Sequence, residues 1–342
     1  MVARSRILVI GPAWVGDMVM AQSLFIALRR DGAEVDVVAP QWSLPLLARM
    51  PEVHRAIALP VGHGNFGLLE RWRIGRSLRA YHYDRAIVMP RSFKSALIPF
   101  FAGIPRRTGY RGEMRYGLLN DIRPLDKQLL PRVVDRYVAL GLPMDAPLPP
   151  RDIPLPRLNV DVENRQRLIR QLDLDMARPA VAFMPGAEYG PAKRWPLPHY
   201  AALARELLAS GRQVWILGSA KEQADGEAIV AAAPSVRNLC GMTRLEDTVD
   251  LLSLASAAVS NDSGLMHVAA ATDVPLVALY GSSSPTYTPP LSHEARVLYL
   301  GLPCSPCFKR HCPLGDTPCL KDMTPPQVMS ALQSIWESED HA

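Results

Sequence analysis

Apolar residues cluster in short runs separated by stretches of helical period, and this alternation persists through most of the chain. In the first half, strand-like runs at 6–11, 34–39, 56–59 and 85–89 alternate with helical patterns near 18–30, 44–49, 68–80 and 93–101. The alternation lapses over 141–156, GLPMDAPLPPRDIPLP, where the density of proline predicts an extended connector. It then resumes, with strands at 180–184, 213–217, 257–260 and 276–280 and helices near 197–210, 221–233, 245–255 and 264–271. Strands joined by helices of this length make parallel sheets covered on both faces. We therefore expect two Rossmann-like, doubly wound α/β domains in tandem, 1–157 and 158–342, with their ligand crevices facing across a cleft.

Two strand-to-helix junctions carry candidate chemistry. After the run Arg6-Ile7-Leu8-Val9-Ile10-Gly11 comes the turn Pro12-Ala13-Trp14-Val15-Gly16-Asp17. Gly11 and Gly16 are separated by four residues, which is not the three-glycine dinucleotide fingerprint, so a nicotinamide enzyme is disfavoured. Asp17 is either a helix cap or a carboxylate facing the ligand crevice. The second junction, Asn261-Asp262-Ser263-Gly264-Leu265-Met266-His267, ends an apolar run and opens a helical pattern. The first N–H groups of a helix suit a phosphate. Asp262 fits an N-cap or a ribose acceptor there, and His267, one turn in, adds a donor.

Charge narrows the partners. The net charge of +5 hides an imbalance, because through Arg170 Lys and Arg number 26 against 15 Asp and Glu. Arg71, Arg73, Arg76 and Arg79 are helix-spaced, and Arg91, Lys94, Arg106, Arg107, Arg111 and Arg115 follow at expected strand ends and loops. Such an excess suits a phosphorylated glycolipid or a membrane surface. Nucleic acid is the weaker partner, since no recognisable nucleic-acid module accompanies the charge. No apolar run reaches the ~18–20 residues that span a bilayer and no signal-peptide pattern opens the chain, so a cytoplasmic location is expected.

Cys304, Cys307, Cys312 and Cys319 crowd into CSPCFKRHCPLGDTPC, with His311 among them, while Cys240 stands apart on an expected strand. Four thiols in one loop suit a structural metal or iron–sulfur clasp. Reduced thiols packed under the loop are the other reading, and neither makes the segment catalytic. Asp173-Leu174-Asp175, beside Arg170 and Arg178, reads as a solvated turn, so no catalytic metal is expected.

Taken in order, GPAWVGDMVMAQSLF (11–25), SFKSALIPFFAGIPRRTGYRGEMRYGLLND (92–121), PGAEYGPAKRWP (185–196), GSAKE (218–222) and NDSGLMHVAAA (261–271) resemble the ADP-heptose:lipopolysaccharide heptosyltransferases over almost the whole chain. The resemblance implies a GT-B glycosyltransferase fold and inverting transfer of heptose from ADP-heptose to the first heptose of a Kdo-bearing lipid A inner core. It further implies peripheral association with the inner membrane. Asp17 matches the family's catalytic Asp, Lys193 a phosphate-contacting Lys and Glu222 a ribose-binding acid, while Asp262, Ser263, Gly264 and His267 match the phosphate-binding turn. Arg91, Lys94 and Arg111 are the expected acceptor contacts. Two rival readings remain: a heptosyltransferase for a different inner-core acceptor, and a non-catalytic protein that binds nucleotides or glycolipid. A carboxylate such as Asp17 alongside Lys193 and Ser263 favours an enzyme.

Overall fold

The computed structural model describes residues 5–62 and 64–339; the outermost ends of the two expected domains, 1–4 and 340–342, lie outside the described residues. The chain divides into two compact units, 1–156 and 157–342.

The first unit holds strands β1 (Arg6–Ile10), β2 (Glu34–Pro40), β3 (Val53–Leu59), β4 (Arg85–Val88), β5 (Arg106–Tyr110) and β6 (Asp121–Arg123). Helices α1 (Val15–Arg30), α2 (Leu44–Leu47), α3 (Leu68–Leu78), α4 (Leu97–Phe101) and α5 (Val133–Gly141) connect or follow them. The strands form one sheet in the order β3-β2-β1-β4-β5-β6, and every pairing is parallel.

The second unit repeats the plan. It contains α6 (Val162–Gln171), β7 (Ala180–Met184), α7 (Leu197–Ala209), β8 (Gln213–Ile216), α8 (Gln223–Ala232), β9 (Arg237–Asn238), α9 (Leu245–Leu252) and β10 (Ala257–Asn261). After these come α10 (Gly264–Ala270), β11 (Leu276–Tyr280), β12 (Ala295–Tyr299), α11 (Pro318–Lys321) and α12 (Pro325–Glu339). The sheet order β12-β11-β10-β7-β8-β9 has the topology of the first sheet, again wholly parallel. Strands β7, β10 and β11 are buried at every position, as parallel strands covered on both faces must be. Trp195 packs edge-on against Tyr200 at 4.7 Å, and both are fully buried in the second core.

In each sheet the chain leaves two adjacent central strands in opposite directions, at β1/β4 and at β7/β10. A crevice forms at the carboxyl ends of such a pair, and the loops that follow these strands line it. The fold is thus the pair of Rossmann-like domains expected of a GT-B protein.

Several details differ from the sequence reading. Strands β5, β6 and β12 and helices α5, α6, α11 and α12 were not anticipated, and the strand expected at Cys240 falls earlier, as β9. Cys240 is not in a strand; it lies two residues beyond β9, buried in the core. The Asp173 to Asp175 segment is a turn as expected, with Asp173 in the left-handed region and Asp175 accepting from Ala177 N and Arg178.

Candidate functional site

The second unit's site is built at the ends of β7 and β10. The side chain of Asn261, the last residue of β10, accepts from Trp195 N at 3.0 Å and donates to Pro185 O at 2.5 Å. One buried amide therefore fastens both ends of the loop 185–195. Within that loop a short 3-10 turn, Pro191–Lys193, brings Lys193 Nζ to 2.5 Å from Asp262 Oδ2. The lysine side chain is 19% exposed and the aspartate 4%, so the ammonium is the part of the pair that solvent or a ligand reaches.

Asp262 is therefore not the N-cap of α10. Ser263 holds that position without a side-chain cap bond, and Gly264 is the first helical residue. His267 is buried one turn in. Burial, opposed by Asp262 and reinforced by Lys193, pushes its pKa down to about 4, so the ring is neutral at pH 7 and can donate from one nitrogen.

Glu222 closes a capping box on the loop after β8, where its Oε2 accepts from Ser219 N at 2.8 Å and from Ser219 Oγ at 2.6 Å. Its side chain lies against Gly186, where an added Cβ would come within 2.8 Å of Glu222 Cγ. The carboxylate is thereby held beside the loop that carries Lys193. The structure thus brings together Lys193, Asp262, Ser263, Gly264 and His267, with Glu222 packed against the start of the Lys193 loop at Gly186.

Tyr189 and Arg310 were missed by the sequence reading. The Tyr189 hydroxyl donates to Phe308 O at 2.8 Å, and its ring centre lies 5.3 Å from Lys193 Nζ and 5.2 Å from Arg310 Cζ. Arg310 O accepts from Ala192 N at 3.1 Å and sits where a Cβ on Gly190 would be, at 2.6 Å. Gly190 is also at φ +155°, so this position needs glycine for space and for conformation. The Cys-rich segment is accordingly a brace laid along the Lys193 loop.

Of the two readings of that segment, the metal clasp is not assembled among the described residues. Cys304, Cys307, Cys312 and Cys319 line a small cavity of about 20 Å³ together with Ala192 and Ser282. All four are free thiols, and among the described residues no group of three or more His, Cys, Asp or Glu side chains is placed to hold a metal ion. Burial, helped by the three neighbouring thiols, pushes Cys319 up to about 11, so it is protonated at neutrality.

In the first unit, Asp17 sits in the first turn of α1, and its Oδ1 accepts from the Tyr137 hydroxyl of α5 at 2.9 Å. Arg91 and Arg111 are exposed at the ends of β4 and β5, and their segments touch where Glu113 N donates to Arg91 O at 3.2 Å. Lys94 is half-buried and donates to Asn65 O at 3.1 Å.

Other members of the expected basic surface are buried or already tied to partners within the chain. Arg115 is 1% exposed and donates to Pro90 O at 2.7 Å and Tyr110 O at 2.6 Å. Arg71 is buried against Phe66 O and Lys94 O. Arg107 donates to the backbone at Leu118 and Ile104, and Arg106 pairs with Asp121. Helix spacing and loop position reveal where an arginine lies along the chain, but not whether a carbonyl already holds it.

Comparison with known proteins bears on this arrangement. The model of glycosyltransferase family 9 (heptosyltransferase) matches residues 71–317. The chain belongs to this family of GT-B glycosyltransferases. It is 52% identical to lipopolysaccharide heptosyltransferase 2 of Salmonella typhimurium, over 98% of this chain and 99% of that protein. With the enzyme of the same name from Escherichia coli K12 it shares 51% identity at the same coverage. The solved structure of E. coli ADP-heptose LPS heptosyltransferase II superposes with a TM-score of 0.88 at 48% identity, covering 98% of this chain and 99% of that one.

Proposed function

We propose that this chain transfers L-glycero-D-manno-heptose from ADP-heptose, with inversion, to the first heptose of a Kdo-bearing lipid A inner core. The observation that carries the donor half is the Lys193–Asp262 pair at the end of β10, beside the Ser263-Gly264 opening of α10. Asp262 fixes the ammonium at one N–H, and the others meet the diphosphate. Glu222 Oε2 is taken by Ser219, so Oε1 is the oxygen that accepts from a ribose hydroxyl. Neutral His267 adds a hydrogen bond without adding charge.

The transfer follows from these parts. An acceptor hydroxyl attacks the anomeric carbon from the face opposite the diphosphate while Asp17 accepts its proton. The bond to ADP breaks with its electron pair moving to the departing phosphate. Lys193 and the first N–H groups of α10 stabilise the charge that develops there, the role a metal cation plays in other transferases. Tyr137 holds Asp17 Oδ1, which sets the direction of the carboxylate. Arg91, Lys94 and Arg111 meet the carboxylates of Kdo and the core phosphates.

The acceptor is a lipid, which places the reaction at the cytoplasmic surface of the inner membrane. Among the described residues no helix is long and apolar enough to cross a membrane, and a peripheral attachment suits that. The test is to incubate the purified chain with ADP-heptose and either a mono-heptosylated or a heptose-free Kdo acceptor. Product is expected from the first alone. Product from the heptose-free acceptor would reassign the acceptor, and none from either would return the chain to a binding role.

A further inference from the structure

We propose that the outward face of α3, with the loop before it, is a docking surface for anionic phospholipid. This rests on the reading that the acceptor is a membrane glycolipid. Helix α3 turns Arg71, Gly75 and Leu78 inward, and its opposite stripe is Leu69, Trp72, Arg73 and Arg76, spaced i, i+3, i+4 and i+7. Phe66, Leu68, Leu69 and Trp72 are 47%, 50%, 49% and 41% exposed. Four large apolar side chains so close in sequence, all open to water, mark a surface that something covers.

The occupant follows from what adjoins them. Arg73, Arg76 and Arg79 continue the helix beyond the apolar turn, Arg76 Cζ lies 5.4 Å from the centre of the Trp72 ring, and Glu70 is the one acid of the helix. Apolar side chains that enter the acyl boundary, a tryptophan at headgroup level and arginines on the phosphates form an interfacial helix. A second copy of this chain fits less well, because a two-fold contact through the stripe would set arginines against arginines.

Position agrees with charge. Arg71 ties Phe66 O to Lys94 O, Lys94 donates to Asn65 O, and the Phe66 ring stacks on Phe93 at 6.4 Å. The patch is thus continuous with the Lys94 loop assigned to the acceptor. A bilayer bound there would bring the lipid-anchored acceptor to the residues that recognise it.

The test is co-sedimentation of the full chain with vesicles of phosphatidylethanolamine and phosphatidylglycerol, against phosphatidylcholine alone. The wild type should bind the anionic vesicles, and more weakly as salt rises. Each arginine at such a surface is worth roughly fivefold in partitioning, so Arg73→Ser with Arg76→Ser should weaken binding roughly 25-fold. Arg73→Lys with Arg76→Lys should retain it. Leu69→Ser with Trp72→Ser should weaken it by about tenfold or more.

All three pairs should turn over a deacylated, water-soluble acceptor at the wild-type rate, which also shows that they fold. Wild type that stays in the supernatant would overturn the proposal, as would serine variants that sediment like wild type. A wild-type dimer dissolved by the serine variants, with vesicle binding unchanged, would assign the patch to a second copy. If vesicle binding behaves as expected while no acceptor is glycosylated, the transferase reading fails and the docking surface stands.

Discussion

In the first unit, Arg85 and Arg123 donate to Gly141 O and Ala139 O at the end of α5, and Arg115 donates to the carbonyls of Pro90 and Tyr110. In the second unit, Asp262 holds a lysine that is still partly open, and Glu222 holds a serine beside the same loop. The two sheets have the same strand order, so topology is not the source of this difference. One set of charges closes the chain's own backbone, and the other frames a space. A net positive half is therefore not in itself a binding surface; what matters is how far each cation's donors are already taken by the chain's own carbonyls.

The largest effect should come from Asp17→Asn, which keeps shape and removes the base. Turnover should fall about 10²–10⁴-fold with ADP-heptose affinity nearly unchanged, read by steady-state kinetics and calorimetry. Turnover within a few-fold of wild type would sink the role given to Asp17. Arg115→Met should act on stability instead. It strands buried carbonyls at a cost of about 3 kcal/mol, seen as a lower thermal midpoint. If the variant melts like wild type, the internal arginines of the first unit are not structural.

Acid should separate the halves further. His267 titrates near 4 in the native chain because it is buried, against about 6.5 when unfolded. As pH falls from 6.5 to 4 the unfolded chain takes up a proton that the native chain does not, so the second unit loses about 3 kcal/mol across that window, with no further loss from this group below it. Asp36 and Asp121 of the first unit sit below the usual carboxylate range, because hydrogen bonds from Tyr83, Arg55 and Arg123 outweigh their burial. Their contribution is lost only at lower pH. Acid titration of His267→Gln should show a flatter loss between 6.5 and 4, and an unaltered profile would refute the assignment.

Smaller effects distinguish donor from acceptor. Lys193→Ala should weaken donor binding by about 10–100-fold, the worth of a charge-assisted contact, and lower turnover as well. Donor affinity equal to wild type would remove Lys193 from the diphosphate. Lys94→Ala with Arg111→Ala should raise acceptor KM by about three- to tenfold and leave donor affinity alone, because cations open to solvent even in part are screened. An unmoved KM would place both with Arg115, as structural residues.

The central strands were legible because β7 and β11 are apolar throughout and β10 is apolar through Val259, and α1 because its period is clear. The strands that were missed or misplaced lie away from the centre of their sheets and carry charge: β5 is RRTGY, β6 is DIR and β9 is RN. There the hydrophobic pattern fades just where burial becomes one-sided. Helix α6 is largely polar, yet Asp161 accepts from Asn164 N at 3.0 Å, and that D-x-x-N spacing was a readable start signal. Of the site, Asp17, Lys193 and the 261–267 turn were visible as motifs. The bond between Lys193 and Asp262 was not, since the two stand 69 residues apart and only the fold joins them.

The brace on the Lys193 loop has a consequence for synthesis. Tyr189 and the carbonyl it bonds, Phe308 O, are 119 residues apart. At about 5–20 residues per second, a ribosome makes the loop roughly 6–24 s before it makes the segment that supports it. Just before residue 308 is added the first unit is entirely translated, while the nascent second unit still lacks α11 and α12. A chain stalled or truncated before residue 308 would carry Lys193 and the 261–267 turn without the strut that shapes their loop. Donor binding should therefore be among the last properties the protein acquires as it is made.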